Sequence, residues 1–430
     1  MAVEYQETID WLFEQETKGI KFGLANVTGL LRHLGDPHLR FRSVHVAGTN
    51  GKGSVSAMTA SVLQEAGYVT GLYTSPHLVD FRERIQVDGA CIPEQKMLRL
   101  AGEVREYAEG TSGAETRLTF FELTTAMAFA HFADAGVEEA VIEVGMGGRL
   151  DATNVIVPDC SVIARIGLEH TTYLGDTIAA IATEKAGIIK SGVPAVTIDQ
   201  SDEALNVFRQ IALDKSATLK VVGRDVGFET LSSTLDGNEV YIEELDSTVR
   251  IPLLGSYQAE NCALSCGALT ELMRRGIYIS DEAIHNGLAK VRWPGRLDII
   301  SREPTLIFDV THTPDGARVV SEEAHRLLGK KVVLVLGVLN DKDLEGIAAG
   351  FGGMTRQAVA TAPATKRAFT PAAVAAALGK HCPVMEVNGV GAAIDRALSL
   401  AGPDDAVLVT GSLYMIGEAM RWSDGKKTCE

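Results

Sequence analysis

The chain reads as an α/β protein in two parts: a larger domain on a doubly wound, mostly parallel sheet with a small antiparallel addition, then a smaller α/β domain. Three observations predict this. Short apolar runs rich in β-branched residues alternate with helical stretches along nearly the whole length. One such run, Val44–Ala47, breaks into the turn Gly48-Thr49-Asn50-Gly51-Lys52-Gly53-Ser54 and restarts as a helical pattern from Val55 to Ala66. Third, 430 residues exceed what one core usually serves. Pro and Gly interrupt any regular element at Trp293-Pro294-Gly295-Arg296, so 1–293 and 296–430 are the expected domains.

In order along the chain, residues 4–17 read as a helix with Trp11, Leu12 and Phe13 on its apolar face. A second helix runs from Gly23-Leu24 through Leu34 and stops at Gly35-Asp36-Pro37. The Gly-rich turn follows. Strand, Gly-rich loop and helix bring backbone N–H groups and a helix N-terminus together on phosphate oxygens. The amides of Thr49 to Gly53, the Lys52 ammonium and the Ser54 hydroxyl, suited to magnesium, therefore predict binding of a nucleoside triphosphate such as ATP. The loop departs from the strict G-x-x-x-x-G-K-[ST] form: Val46 replaces the first Gly, and Gly53 intrudes between Lys and Ser.

A strand over Val69–Thr74 ends in the polar turn Ser75-Pro76-His77-Leu78, at a sheet edge where such folds place ligands, with Arg82 soon after. Helices are expected near 94–109 and 120–134. The apolar strand 140–144 carries one acid, Glu143, whose burial calls for a partner or a metal. Gly145 to Gly148 then allow close approach to a ligand ahead of Arg149 and Asp151. A strand over 161–166 ends at Gly167-Leu168-Glu169-His170, and a helix over 179–189 contains Lys185. Residues 216–250 carry short alternating runs, read as antiparallel strands appended to the sheet; a helix from 253–258 passes Asn261 towards Arg275. Beyond the boundary, strands near 305–310, 332–337, 357–361, 384–387 and 406–410 alternate with helices near 315–328, 343–350, 370–379, 390–401 and 413–421, a Rossmann-like rhythm.

A formal net charge of −16 argues against a nucleic-acid partner, which needs a basic face. No apolar run is long enough to span a bilayer, and residues 1–20 carry acids rather than a basic, apolar leader. The six cysteines form no C-x-x-C; Cys262 and Cys266 share a helix face and read as core, and reduced thiols suit a cytoplasmic enzyme.

Lys52 and Ser54, Ser75 and His77, Glu143, His170 and Lys185 thus gather around one sheet edge. The blocks that carry them resemble folylpolyglutamate and dihydrofolate synthases of the Mur-type ATP-dependent ligase superfamily. The stretches concerned are Ala47–Ser54, Thr74–Leu78 with Arg82–Ile85, Thr119-Phe-Phe-Glu122, Glu143–Asn154, Glu184–Ile188, Pro294–Arg296, Asn340–Asp343 and Thr410–Tyr414. The resemblance implies an amide-forming ligase: the γ-phosphate of ATP passes to a pteroate or folate carboxylate, and L-glutamate displaces it from the acyl phosphate. It implies two magnesium ions, one held by Ser54 and Glu143, the second by Glu143, His170 and Lys185, the lysine as a carbamate. It places Asn261, Arg296 and Asp309 on the nucleotide and His312 near the glutamate and acyl phosphate; Ser75, His77, Arg82, Arg149 and Asp151 are assigned to the acceptor. A monomer is expected.

Three stretches depart from the family pattern. Asp309-Val-Thr-His312-Thr313-Pro314 has Thr313 for Asn and lacks the usual Gly-Ala; Tyr257 and Trp293 each stand where His is common. A Mur-type ligase acting on a different pterin cofactor is the nearest alternative. A peptidoglycan-precursor ligase would need a further N-terminal domain, for which a phosphate loop at residue 48 leaves no room. A phosphate-loop switch or motor ATPase lacks a role for Asp309 and His312, and a silenced homologue has no reason to keep Lys52, Glu143, His170 and Lys185.

Overall fold

The computed structural model of the chain describes residues 2–16, 23–111 and 117–427. The helix expected over 4–17 spans Ala2–Glu16; Thr17 and Cys429 lie outside the described residues. An eight-stranded sheet organises the first part. Its strands are β1 (Arg42–Ala47), β2 (Thr70–Tyr73), β3 (Ile85–Val87), β4 (Ala90–Cys91), β5 (Glu139–Glu143), β6 (Cys160–Ile163), β7 (Ala195–Ile198) and β8 (Leu219–Val222). Their spatial order is β4-β3-β2-β5-β1-β6-β7-β8. Every pairing from β2 across to β8 is parallel, and β3 and β4 add an antiparallel edge. β1 lies between β5 and β6, so the chain reverses its direction of winding there, and its carboxyl end opens on the crevice where doubly wound sheets hold ligands.

Both faces of the sheet are covered, which is why its strands are mostly apolar and the buried polar residues His45, Glu139 and Glu143 stand out. On one face Val44, Val46 and Val141 pack with Met58 and Leu63 of helix Lys52–Glu65 and with Cys262, Cys266 and Leu269 of helix Ser256–Arg274. On the other, Tyr73, Ala140 and Ile142 meet Phe129 and Phe132 of helix Phe120–Ala135, with Leu12 and Leu30 beyond. Thr119 and Glu122 close a capping box at that helix's start, the Glu122 carboxylate accepting from the Thr119 amide at 2.7 Å.

Residues 216–250 differ from the sequence expectation. β8 joins the parallel sheet, since Val221 and Val222 are both buried, and only the strands after it form an antiparallel unit. That unit, β9 (Phe228–Thr234), β10 (Gly237–Ile242) and β11 (Ser247–Ile251), is a separate sheet of order β11-β10-β9. The strand expected over 161–166 ends at Ile163, releasing Ala164 to His170 as loop.

The C-terminal sheet has β12 (Asp298–Arg302), β13 (Thr305–Phe308), β14 (Val332–Leu336), β15 (Thr355–Ala360), β16 (Val384–Glu386) and β17 (Ala406–Thr410), ordered β12-β13-β17-β14-β15-β16. All but β12 run parallel. The two parts touch at several points, among them Arg326 on Ser233 and Arg302 on Asp236, with Leu254 buried in the C-terminal core. Ser256 donates its amide (2.9 Å) and hydroxyl (2.7 Å) to the Glu323 carboxylate, so a C-terminal side chain caps helix Ser256–Arg274. Gly417 approaches the Leu78 carbonyl too closely to admit a Cβ. Among the described residues, no helix is long and apolar enough to cross a membrane.

At the opposite sheet edge from the crevice, Glu139 is 2% exposed and its Oε2 has no hydrogen-bond partner. Burial pushes its carboxyl from the ordinary 4.5 up to about 7, with Arg42 at 3.5 Å only partly offsetting it. A raised carboxyl means that the native state binds more protons than the unfolded state between these two values, so stability falls as pH rises from 4.5 to 7. Glu139→Gln should therefore raise the urea-unfolding free energy by about 1–3 kcal/mol at pH 8. It should change little at pH 4.5; an equal gain at both pH values would refute ionisation as the cause.

Candidate active site

The Gly-rich turn lies at the carboxyl end of β1, and β5 brings Glu143 beside it, Val46 and Glu143 being register partners. Thr49 and Asn50 donate their amides to the Arg165 carbonyl at 2.9 and 3.2 Å, and the Thr49 hydroxyl pairs with the Gly167 backbone. Ser54 is buried in the first turn of helix Lys52–Glu65. The loop is clamped from two sides. A Cβ at Gly51 would collide with the Asn261 side chain, and one at Gly53 would lie 2.5 Å from the Trp293 ring. The extra glycine and the Trp at the domain boundary are thus one adaptation: the indole occupies the space a side chain at 53 would need.

Lys52 Nζ donates to the carbonyls of Gly48 (3.0 Å) and Thr49 (3.2 Å). Lys185 Nζ reaches the same Gly48 oxygen at 2.7 Å from helix Ile178–Ala186. Burial, then the Lys52 charge, lowers the Lys185 ammonium to about 7. Burial raises the Glu143 carboxyl, countered by Lys52 and by the Ser75 amide, which donates to Oε2 at 3.0 Å. His170, at φ 51°, is half-exposed; burial lowers its pKa, Glu169 opposes that shift, and Lys185 and Lys52 add to it.

Lys185 reaches the loop because two segments interlock. A Cβ at Gly148 would stand 2.7 Å from the Lys185 carbonyl, and one at Gly187 would strike Arg149. The Arg149 amide donates to the Glu184 carbonyl (2.7 Å), its guanidinium pairs with the Glu184 carboxylate (2.9 Å), and Asn154 ties the carbonyls of Arg149 and Gly187 together. Arg149 therefore acts as a clasp between segments.

Two cavities flank the Ser75–Pro76 turn. One, of about 310 Å³, is bounded by Phe120 and Phe121, Arg84, Asp151 and the Gly145–Gly148 loop. The other, of about 410 Å³, lies between helix Lys52–Glu65 and the boundary residues Trp293 to Arg296. His77 lines the second; its Nδ1 accepts from Arg84 Nε at 2.8 Å, and burial, then Arg84, hold the imidazole near 4, a neutral ring. Arg82 lines neither. It folds back onto Asp80 (2.6 Å) and the Tyr5 ring, whereas Arg84, two residues on, projects inward over Phe120. Arg84, Phe120 and Phe121, within the Arg82–Ile85 and Thr119–Glu122 blocks, line the smaller cavity in place of the expected Arg82.

In the C-terminal part, the buried Asp309 accepts from the amides of Leu297 (3.0 Å) and Thr311 (2.8 Å), which locks the turn after β13. Arg296 lines the larger cavity. Tyr257 packs under the Asp309 turn, its hydroxyl driven up by burial and then by Asp309. His312 Nδ1 lies 2.9 Å from the Val310 carbonyl. Thr313 is the N-cap of helix Pro314–Leu328, accepting from the Gly316 amide at 3.1 Å. An Asn would do the same work there, which explains why Thr is tolerated.

The residues expected to hold magnesium, Ser54, Glu143, His170 and Lys185, offer a hydroxyl, a carboxylate, an imidazole and an amine, of which the hydroxyl and carboxylate are oxygen donors of the kind magnesium takes. Among the described residues no group of three or more His, Cys, Asp and Glu gathers to hold a metal, so such a site here depends on Ser54 and Lys185.

The Mur ligase middle domain family matches residues 46–269, and the Mur ligase glutamate ligase domain family matches residues 295–413. A probable bifunctional folylpolyglutamate synthase/dihydropteroate synthase of Haloferax volcanii is 39% identical over 97% of this chain, which spans only half of that relative's length. The dihydrofolate synthase/folylpolyglutamate synthase of Bacillus subtilis is 37% identical, covering 81% of this chain and 82% of its own. The Mycobacterium tuberculosis folylpolyglutamate synthase complexed with ADP superposes with a TM-score of 0.87 at 32% identity, over 98% of both chains.

Gly53→Ala tests the clamp. In an open helical turn this change stabilises a protein by about 0.4–1 kcal/mol. Against the Trp293 ring it should instead cost about 1–3 kcal/mol in urea unfolding. Adding Trp293→Leu should recover most of that loss; strictly additive losses would show that the two residues are not coupled.

Proposed function

Because the chain belongs to the Mur ligase family, in its folylpolyglutamate and dihydrofolate synthase branch, we propose that it is an ATP-dependent ligase joining L-glutamate to a pteroate or folate carboxylate. The interlock of Gly148 and Gly187 carries this reading, because it sets the Lys185 amine against the phosphate loop beside an aromatic cavity. The amides of Gly51 to Gly53 and the Lys52 ammonium hold the outer phosphates of ATP, those of Thr49 and Asn50 being engaged by the Arg165 carbonyl, with Asn261, Arg296 and Asp309 towards the nucleotide. The smaller cavity takes the acceptor's ring between Phe120 and Phe121, with Asp151 and Arg84 as its polar partners. Ser75 lies where the acceptor's carboxylate meets the γ-phosphate.

The carboxylate oxygen takes the phosphoryl group, and the amine of L-glutamate then expels phosphate to leave the amide. Catalysis of this kind needs positioning and charge neutralisation more than covalent help from the protein. His312, donating Nδ1–H to the Val310 carbonyl, keeps its Nε2 lone pair for the proton that the attacking amine sheds. Magnesium, when bound, neutralises charge on the phosphates. Residues 1–293 and 296–430 act as two domains that close about Trp293–Arg296 and exclude water from the acyl phosphate. The enzyme works as a cytoplasmic monomer, without nucleic acid.

Release of ADP should require both a pteroate or folate acceptor and L-glutamate. Lys52→Ala and Glu143→Ala should each reduce turnover about 10²–10³-fold with an unchanged melting temperature. ADP release without an acceptor, or near-normal turnover in both variants, would overturn the assignment.

Lys185 is the second point of test. An amine lowered to about 7 and shielded from solvent offers the neutral form that carbon dioxide traps as a carbamate. Activity should fall in carbonate-depleted buffer and return with bicarbonate. Lys185→Ala should be crippled and partly rescued by acetate. Full activity without carbonate, together with an unmodified lysine by mass spectrometry of the native enzyme, would exclude the carbamate.

A further inference from the structure

His45 stands in the middle of β1, fully buried, and none of the roles above uses it. Its Nε2 lies 2.9 Å from the Thr153 hydroxyl. That hydroxyl lies 2.5 Å from Asp151 Oδ1, which also accepts the Thr153 amide at 3.0 Å. Asp151 Oδ2 accepts the Met146 amide at 2.9 Å, so one carboxylate holds both ends of the loop lining the smaller cavity. His45 Nδ1 has no hydrogen-bond partner.

The proton directions follow from counting. A hydroxyl has one hydrogen. Burial pulls the Asp151 carboxyl pKa up, but each of its oxygens accepts a backbone amide, Oδ1 from Thr153 and Oδ2 from Met146, which favours the ionised form, so Thr153 gives its hydrogen to Oδ1. Thr153 can then only accept from the imidazole, which requires hydrogen on Nε2 and a bare Nδ1. The opposite tautomer would turn the Thr153 hydrogen towards His45, leaving two oxygens in close contact with nothing between them, and would bury an unpaired N–H at Nδ1 as well. We propose that His45 is a positioning residue: through Thr153 it fixes the orientation of the Asp151 carboxylate that receives the polar edge of the acceptor. The inference rests on the acceptor-site reading of the smaller cavity. It also makes β1 serve both substrates, its carboxyl end leading into the phosphate loop and its middle steadying the acceptor cavity through a neutral ring. Burial, then Lys190, holds that imidazole far below its usual range, near 3, so it carries no charge at any working pH.

The test compares Asp151→Asn, Thr153→Val, His45→Leu and His45→Gln, whose amide can replace the Nε2 donor. Asp151→Asn asks whether the carboxylate meets the acceptor at all; an unchanged KM for the pteroate or folate acceptor would remove the site reading itself. With that KM raised, His45→Leu and Thr153→Val should each raise it about tenfold, the loss of one hydrogen bond in a charge-assisted chain, and leave the KM for ATP unchanged. His45→Gln should restore most of the loss. A KM for the acceptor unaltered in His45→Leu, or ATP and acceptor KM altered alike, would overturn the proposal. Nitrogen-15 histidine spectra of the unmutated enzyme, with His45→Gln for assignment, give a readout that does not depend on variants folding. They should show the neutral Nε2–H tautomer between pH 6 and 8, and the Nδ1–H form or a protonated ring would equally overturn it.

Discussion

Two lysine amines converge on the carbonyl oxygen of Gly48, and much of the N-terminal part is arranged to permit it. Like charges at this spacing repel, and in a partly desolvated crevice the repulsion is only weakly screened. The fold accommodates them unequally. Lys52 stays on the rim of the loop, where phosphate charge would offset it. Lys185 is forced inward by the docking of its helix on the Gly145–Asn154 segment, and burial with the neighbouring charge brings its pKa to about 7. Glu143, rising from the adjacent strand, is the acid closest in the sheet to that positive region, and its own carboxyl is raised by burial while Lys52 holds it down. Burial is the first cause of both shifts, and Lys52 acts on each, adding to the fall at Lys185 and opposing the rise at Glu143.

That arrangement explains which glycines the segment needs. Gly148 and Gly187 are required for a mutual close approach rather than for unusual dihedrals; a methyl group at either would part the two segments and withdraw the lysine. Gly51 and Gly53 serve the same end on the other side of the loop, against Asn261 and Trp293. All four close approaches join residues distant in sequence; two press on the phosphate loop itself and two dock the segments that carry Lys185.

Much of this was legible in the sequence, and the parts that were not have physical reasons. The strand–loop–helix unit and the lone acid of β5 stand out because local pattern and chemistry agree there. β7, the β3–β4 hairpin and β12 are not evident from sequence: β7 directly follows Pro194, and β3 and β12 mix Gln86, Asp298, Ser301 and Arg302 among their apolar residues. β8 was misplaced because four alternating residues look alike whether they join a parallel sheet or start an antiparallel one; only tertiary packing decides. Arg82 and Arg84 are indistinguishable by spacing, and what separates them is Asp80, which captures the first and leaves the second to cross over Phe120. The relation between Gly53 and Trp293 spans 240 positions and cannot be read from either alone.

The Glu323 carboxylate has a consequence for how the two parts move. It caps the helix whose second turn carries Asn261, the residue pressed against Gly51. Drawing the parts asunder at this point strips two hydrogen bonds from the first turn of that helix, a loss of about 0.5–2 kcal/mol for a cap. Fraying would begin within one turn of the wall that steadies the phosphate loop. The contact between the two sheets is thereby tied to the stiffness of the wall at Gly51 through a single turn of helix.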